Sequence, residues 1–272
     1  MRFLKSIFDF YLNSSIHVAL AVCGFVGITL LEFDFSISNN LLGFIFFGTI
    51  TGYNFVKYAE VARLKHRSLN LSLRTIQIFS FFSFLALSYF ALKLTIQTLF
   101  VTGLFAALTF FYAIPVLQNK NLRTLTGIKI LIVAIVWAGV TLIIPIVNEN
   151  EILNRIVWMS FFQRVLFVFV LTLPFEIRDL QYDELALGTL PQKAGIKKTK
   201  VIGVVLLMVT IIIEFLKPEL NWDYAISLML ISGVLTLFLF ISEKNQSKYF
   251  ASFWTESIPI VWYGLLLLFQ LI

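Results

Sequence analysis

An all-α polytopic membrane protein is the fold class this sequence predicts, and three observations predict it. Hydrophobic residues make up 59% of the 272 positions and charged residues only 13%, with a mean hydropathy of +0.91, which is more apolar surface than one soluble core can hide. Apolar runs near the roughly 20 residues needed to cross a bilayer tile the chain almost end to end. The polar breaks between them carry most of the Lys and Arg, and they do so alternately, as loops on one side of a membrane do. Because the runs leave no stretch for a separate soluble domain, residues 1–272 read as a single integral membrane domain.

The elements follow in order. The opening MRFLKSIFDFYLNSS is basic but interrupted by Asp9, Asn13, Ser14 and Ser15, so it predicts an uncleaved amphipathic segment lying on the membrane surface. Nine spans then emerge: Ile16 to Leu31, Leu41 to Val56, Leu73 to Leu92, Ile96 to Leu117, Ile128 to Val147, Ile156 to Phe175, Val201 to Leu216, Tyr224 to Ile241, and Ala251 to Ile272. With nine spans, the N-terminus shares a face with the breaks after spans two, four, six and eight. That face receives clusters such as Lys57 to Arg74 and Lys193 to Lys200, whereas the other has only Lys93, Arg155 and Lys217. The N-terminus is therefore expected in the cytoplasm, and a bacterial cytoplasmic membrane is the expected location. The lone Cys23, inside an apolar run, excludes an intrachain disulfide or a thiolate metal cluster.

One segment stands apart. Phe175 to Gly195 reads FEIRDLQYDELALGTLPQKAG, directly after span six and so on the expected cytoplasmic side. Glu176, Asp179 and Asp183 fall within about 60° of one another at 100° per residue, forming one acidic stripe on a helix. Hard cations such as Mg²⁺ are held through one or two carboxylates plus phosphate oxygens and water. A stripe of this kind next to Arg178 and Lys193 suits an Mg²⁺-diphosphate site. A solvated helix end that does nothing but face water is the alternative reading of the acids alone.

The string that follows the acids carries a resemblance. E-I-R-D-x-x-x-D-x-x-x-x-G-T-L-P-x-x-x-G, from Glu176 to Gly195, resembles the second aspartate-rich motif of the UbiA superfamily of intramembrane prenyltransferases, and FYAIPVLQNKNLRTLTGIK looks like the family's segment joining helices four and five. The resemblance implies nine membrane helices, aspartate-rich motifs on the cytoplasmic side after helices two and six, and Mg²⁺ ions that bind a prenyl diphosphate. It implies that Glu176, Asp179 and Asp183 hold metal and that Asp179 and Asp183 are catalytic.

The sequence departs from the family at the first motif, expected as N-D-x-x-D-x-x-x-D after span two. Asn54 is present, but Phe55, Tyr58 and Ala62 stand at the aspartate positions. Glu60, about 120° or more from the Asn54/Tyr58 face, is a poor substitute. Fewer metal ions than in the family are expected. Lys57, one turn after Asn54 on the same face, suggests a cation that neutralises diphosphate in place of a metal, with Asn54 and Tyr58 beside it. Simple decay of the first site is the equal alternative.

Further candidates are weaker. Arg63 and Arg67 lie in the basic stretch after the degenerate motif, where family members carry diphosphate ligands, although topology alone explains them. Tyr112, at the expected cytoplasmic end of span four, has a ring suited to shielding an allylic cation and a hydroxyl that most of the 30 Phe-rich aromatic surface lacks. Glu256 and Arg164 are ionisable groups inside spans, which makes them functional candidates by default. Glu256 lies within reach of the acidic stripe, while Arg164, about 13 Å into its span, is expected to pair with a helix carbonyl or an acid. His17 reads as a packing histidine.

These readings converge on transfer of a polyprenyl group from an isoprenoid diphosphate to an aromatic or lipid acceptor, within the lipid bilayer. No nucleic-acid partner is expected. A non-catalytic homologue that binds an isoprenoid or lipid is the rival, and a small-solute transporter would leave the TLP-x-x-x-G string unexplained. H-E-x-x-H, Walker, G-x-S-x-G and dinucleotide motifs are absent.

Overall fold

The computed structural model describes residues 2–64, 71–114, 127–181 and 188–271, and these are helical with short connections. In chain order the helices are α1 (Arg2–Asn13), α2 (Ile16–Glu32), α3 (Asn39–Leu64), α4 (Leu71–Ala91), α5 (Ile96–Ala113), α6 (Lys129–Ala138), α7 (Ile144–Asn148), α8 (Arg155–Asp179), α9 (Leu190–Phe215), α10 (Trp222–Ile241) and α11 (Ile258–Gln270). A π-helical segment, Gly139–Ile143, joins α6 to α7, and another, Phe250–Thr255, precedes α11.

The described part of each of the nine apolar runs is helical but for a few residues. Six of the described helices are long and apolar enough to cross a membrane, or seven if the bent pair α1 and α2 counts as one, so this is an integral membrane protein. The expected count of nine also includes α3 and α9, whose apolar runs are diluted by polar residues. Thr49, Thr51, Asn54 and Lys57 interrupt α3, while Lys197, Lys198, Lys200 and Glu214 interrupt α9. Several helices start on side-chain caps. Asn154 accepts from the Val157 N–H at 3.0 Å, Asn221 from the Tyr224 N–H at 3.1 Å and Thr95 from the Thr98 N–H at 3.2 Å, each satisfying an otherwise orphan donor.

The core is built around Phe25 of α2. Its ring meets Trp137 of α6 at 6.1 Å, Phe167 of α8 at 6.0 Å and Trp262 of α11 at 6.1 Å, all at edge-on angles that suit aromatic quadrupoles. Helices α4 and α5 lie outside this core and expose Ile78, Phe81, Phe82, Phe100 and Leu104, as a lipid-facing surface would.

A buried ion network closes one end of the bundle. The Lys217 ammonium sits 2.8 Å from Glu32 and 2.6 Å from Glu214, and Arg164 faces Glu32 at 3.7 Å. Two acids balance two bases there. Gln163 adds bonds to the Glu214 carboxylate at 3.1 Å and the Thr210 carbonyl at 2.8 Å. The π-helical segment contributes Thr141, whose hydroxyl accepts from Arg164 Nη1 at 3.3 Å, while the same Nη1 donates to the Phe25 carbonyl at 3.1 Å. Arg164 therefore pairs with both a helix carbonyl and an acid, as its depth in the span suggested.

Candidate functional site

The acidic stripe sits at the other end of α8. Glu176 lies twelve residues beyond Arg164, about 18 Å along the axis at 1.5 Å per residue. The chain reaches it through Pro174, whose ring removes one helical N–H and whose carbonyl accepts from Gln246 Nε2 at 3.0 Å. Glu176 is buried and its carboxylate meets the ammonium of Lys129, in the first turn of α6, at 3.0 Å. Asp179, one turn on, is half-buried and bonded to Arg178 Nε at 2.8 Å. The Arg178 guanidinium also lies 5.3 Å over the Phe175 ring. Asp183 lies outside the described residues.

Glu176 and Asp179 thus present hard oxygen donors one turn apart, and Arg178 and Lys129 stand beside them. That donor set suits one Mg²⁺ completed by phosphate oxygens and water. Among the described residues no group of three His, Cys, Asp or Glu side chains converges, so a metal there depends on oxygens from elsewhere.

The GTLP-x-x-x-G string is a helix start. Gly188 turns the chain at φ 53°, and Thr189 then stands at the start of α9, its N–H donating to Gln192 Oε1 at 3.0 Å, one half of a capping box. Pro191 occupies the first turn, where its missing N–H costs nothing. Gly195 then breaks α9 with φ 79° and ψ 158°, a conformation only glycine adopts readily. Between the two glycines the exposed Lys193 extends its ammonium towards Gly127, ahead of α6, so that a Cβ built on Gly127 would lie 3.8 Å from it.

The first-motif face is engaged by the protein itself. Asn54 is buried, donating from Nδ2 to the Ser14 carbonyl at 3.1 Å and to Ser80 Oγ at 2.8 Å, while its Oδ1 accepts from Ser15 Oγ at 2.8 Å. Lys57 donates to the Leu12 carbonyl at 3.4 Å and to Ser15 Oγ at 3.2 Å. Tyr58 donates to the Asn13 carbonyl at 2.9 Å. All three therefore grip the turn between α1 and α2. Among the described side chains of the first-motif stretch, Asn54, Phe55, Lys57 and Tyr58, none is a carboxylate. Arg67 and the side chain of Arg63 lie outside the described residues.

Glu256 joins the two regions. It caps the Phe250–Thr255 segment, where the wider π turn makes its N–H bond the Ala251 carbonyl five residues back at 3.2 Å. Such single π turns recur at functional sites. Its carboxyl interacts electrostatically with Lys57 and Arg178 and with Tyr11 and Tyr53. Tyr53 in turn accepts the Trp137 indole N–H and interacts with Tyr112, which is buried at the end of α5. Charges on α3 (Lys57) and α8 (Arg178) thus both act on Glu256, while Tyr53 interacts with both Glu256 and Tyr112.

Sequence reasoning passed over Lys129, Tyr53 and the Tyr11–His17 pair. Tyr11 OH meets His17 Nδ1 at 2.7 Å, and His17 Nε2 meets the Phe253 carbonyl at 3.0 Å. His17 is a packing histidine, as expected, but one with both ring nitrogens engaged. Lys129 was readable only as one more cytoplasmic charge, because nothing in the linear order places it opposite Glu176.

No family model and no curated protein matches the chain. Solved structures do. A UbiA homologue from Aeropyrum pernix K1 superposes with a TM-score of 0.68 at 15% identity, covering 94% of this chain and 99% of that one. A UbiA homologue from Archaeoglobus fulgidus bound to GPP and Mg²⁺ gives 0.58 at 14% identity, covering 97% and 100%. The structure of digeranylgeranylglyceryl phosphate synthase gives 0.56 at 18% identity, covering 97% and 96%. At these identities the likeness is one of fold, and over nearly its whole length this chain has the UbiA fold.

Proposed function

We propose that the protein is a membrane prenyltransferase that moves a polyprenyl group from an isoprenoid diphosphate to an aromatic or lipid acceptor, with its site on the cytoplasmic side. The observation that carries this reading is the pairing, at the end of α8, of Glu176 with Lys129 and of Asp179 with Arg178, in a fold shared with a homologue bound to GPP and Mg²⁺. Carboxylates for a metal and cations for phosphate oxygens stand side by side, which is what a metal-diphosphate ligand needs.

Glu176, Asp179 and Asp183 would hold Mg²⁺, which when bound stabilises negative charge developing on the diphosphate. Arg178, Lys193 and Lys57 add fixed positive charge around the leaving oxygen, so the allylic C–O bond breaks with its electron pair moving to diphosphate. The acceptor atom then bonds to the allylic carbon and loses its proton. Tyr112 and Tyr53 offer rings to the electron-poor carbon, and the apolar helices around them exclude water that would quench it. The absence of carboxylates at Phe55 and Tyr58 supports fewer ions than a site with two acidic clusters would hold.

The engagement of Asn54, Lys57 and Tyr58 by the α1–α2 turn favours a second reading, a homologue that binds an isoprenoid without turnover. Purified protein given Mg²⁺ and a labelled prenyl diphosphate separates the two. Pyrophosphate release that Asp179→Asn removes supports the transferase; binding without release, indifferent to Asp179→Asn, overturns it.

A further inference from the structure

The C-terminus of α1 is finished in an unusual way. A helix leaves its last carbonyls without partners, and most helices satisfy them locally through a glycine-led turn. Here the turn residue is Ser15 at φ 65°, a strained position for a residue with a Cβ. The Leu12 carbonyl accepts locally from the Ser15 N–H at 3.3 Å, and the three successive carbonyls of Leu12, Asn13 and Ser14 also accept from Lys57, Tyr58 and Asn54 of α3. A cation at a helix C-terminus is also favoured by the helix dipole.

The rest of α1 is held lightly. It meets α2 at 56°, and Asp9 ties it to the loop before the second π segment, accepting from Lys248 at 2.7 Å and from Tyr249 OH at 3.0 Å. Phe8 touches Tyr249 and Phe253, and Phe10 touches Phe79 of α4, all edge-on. Leu4 and Ile7 point away from the protein at 72% and 51% exposure. The helix therefore bridges α4 on one side and the α10–α11 connection on the other, directly over the Asn54–Lys57–Tyr58 face.

From this we infer that α1 is a strap, and that its C-terminal carbonyls and a bound diphosphate exchange for the same donors on α3. The ligand chemistry matches: an ammonium, a phenol hydroxyl and a carboxamide NH₂ now serve neutral carbonyl oxygens, and a diphosphate offers oxygens that are charged and bind such donors more strongly. The inference rests on the diphosphate reading above and deepens it, because the strap sets what fraction of molecules can bind and so scales the apparent affinity.

The test uses the full-length protein in lipid nanodiscs, with inorganic pyrophosphate plus Mg²⁺ as probe. Asp9→Asn loosens the strap at a half-buried anchor, paired with the exposed Lys248, that touches none of the proposed ligands. It is expected to tighten pyrophosphate binding about two- to fivefold, the range an exposed ion pair supports. Tyr249→Phe, which removes only the second donor to Asp9, should shift affinity the same way. A nitroxide on Leu4→Cys in a Cys23→Ala background should gain mobility when pyrophosphate saturates. Affinity unchanged or weakened in both variants, with pyrophosphate still bound, overturns the strap and leaves the diphosphate reading standing. Absence of binding in every variant overturns that reading and the exchange with it.

Discussion

Two clusters of charge lie at opposite ends of α8, and they are built in opposite ways. Around Arg164, all four ionised groups are buried, the charges balance, and each partner comes from a different turn or helix. Around Asp179, the ion pair with Arg178 is adjacent in sequence and about a quarter exposed on each side, and on the first-motif face Lys57 is fastened to one carbonyl and one hydroxyl, neither of which needs a cation. The first cluster is locked because removing any member leaves a charge in low dielectric. In the second, Arg178, Asp179 and Lys57 can exchange partners at small cost, as the proposed diphosphate site requires, while Glu176 and Lys129 are paired at depth. Apart from the buried Glu176–Lys129 pair, the proposed diphosphate end differs from the locked end in how shallowly its charges are buried.

The largest effect expected from this contrast is at the locked end. Lys217→Met should destabilise the protein by about 3–5 kcal/mol, because Glu32 and Glu214 would lose their shared counter-ion; thermal unfolding in detergent reads this directly. A shift no larger than a surface substitution gives would break the comparison. At the proposed diphosphate end, Asp179→Asn should leave the unfolding midpoint nearly unchanged and, on the transferase reading, lower pyrophosphate release by about 100-fold or more, as loss of a metal-holding carboxylate does. Equal damage to stability and turnover would show that the two ends are alike.

Gly195→Ala sharpens the boundary between them. Its backbone conformation should cost about 1–3 kcal/mol with a side chain present, and the re-aimed Lys193 should weaken pyrophosphate binding in calorimetry. The smallest effect concerns α1, which precedes the expected first span, Ile16 to Leu31. The hydrogen bond from Lys248 holds the Asp9 carboxyl below its ordinary value, so the stabilisation is present above pH about 4 and is lost as pH falls through the lowered value. Proteolysis between α1 and α2 should therefore quicken only in acid, with a change of at most about 1 kcal/mol in the docking equilibrium; equal rates across that range would remove the anchor.

Much of this was legible in the linear order. The apolar run at Ile128 to Val147 became helix within one residue of both ends, and the run at Ile156 to Phe175 began one residue early and continued to Asp179, because a bilayer-length apolar run satisfies its backbone by coiling into helix. GTLP was legible as a turn and is a helix cap, and the depth of Arg164 announced a partner. What could not be read was which partner. Glu32 and Lys217 are 185 residues apart, and Lys129 meets Glu176 across two helices.

By itself the sequence determined that this is a helical membrane protein, that its acids Glu176 and Asp179 lie one turn apart at a helix end, and that no carboxylate stands at Phe55 or Tyr58. Those properties follow from hydropathy and from the 3.6-residue period, which are local. Only the tertiary structure decided that Asn54, Lys57 and Tyr58 hold the end of α1, that the charges of Lys57 and Arg178 both act on Glu256, and that four buried ions lock the far end. Such pairings depend on how helices distant in sequence pack, and a side chain's spacing along one helix carries no information about the carbonyl or carboxylate that another helix brings to it.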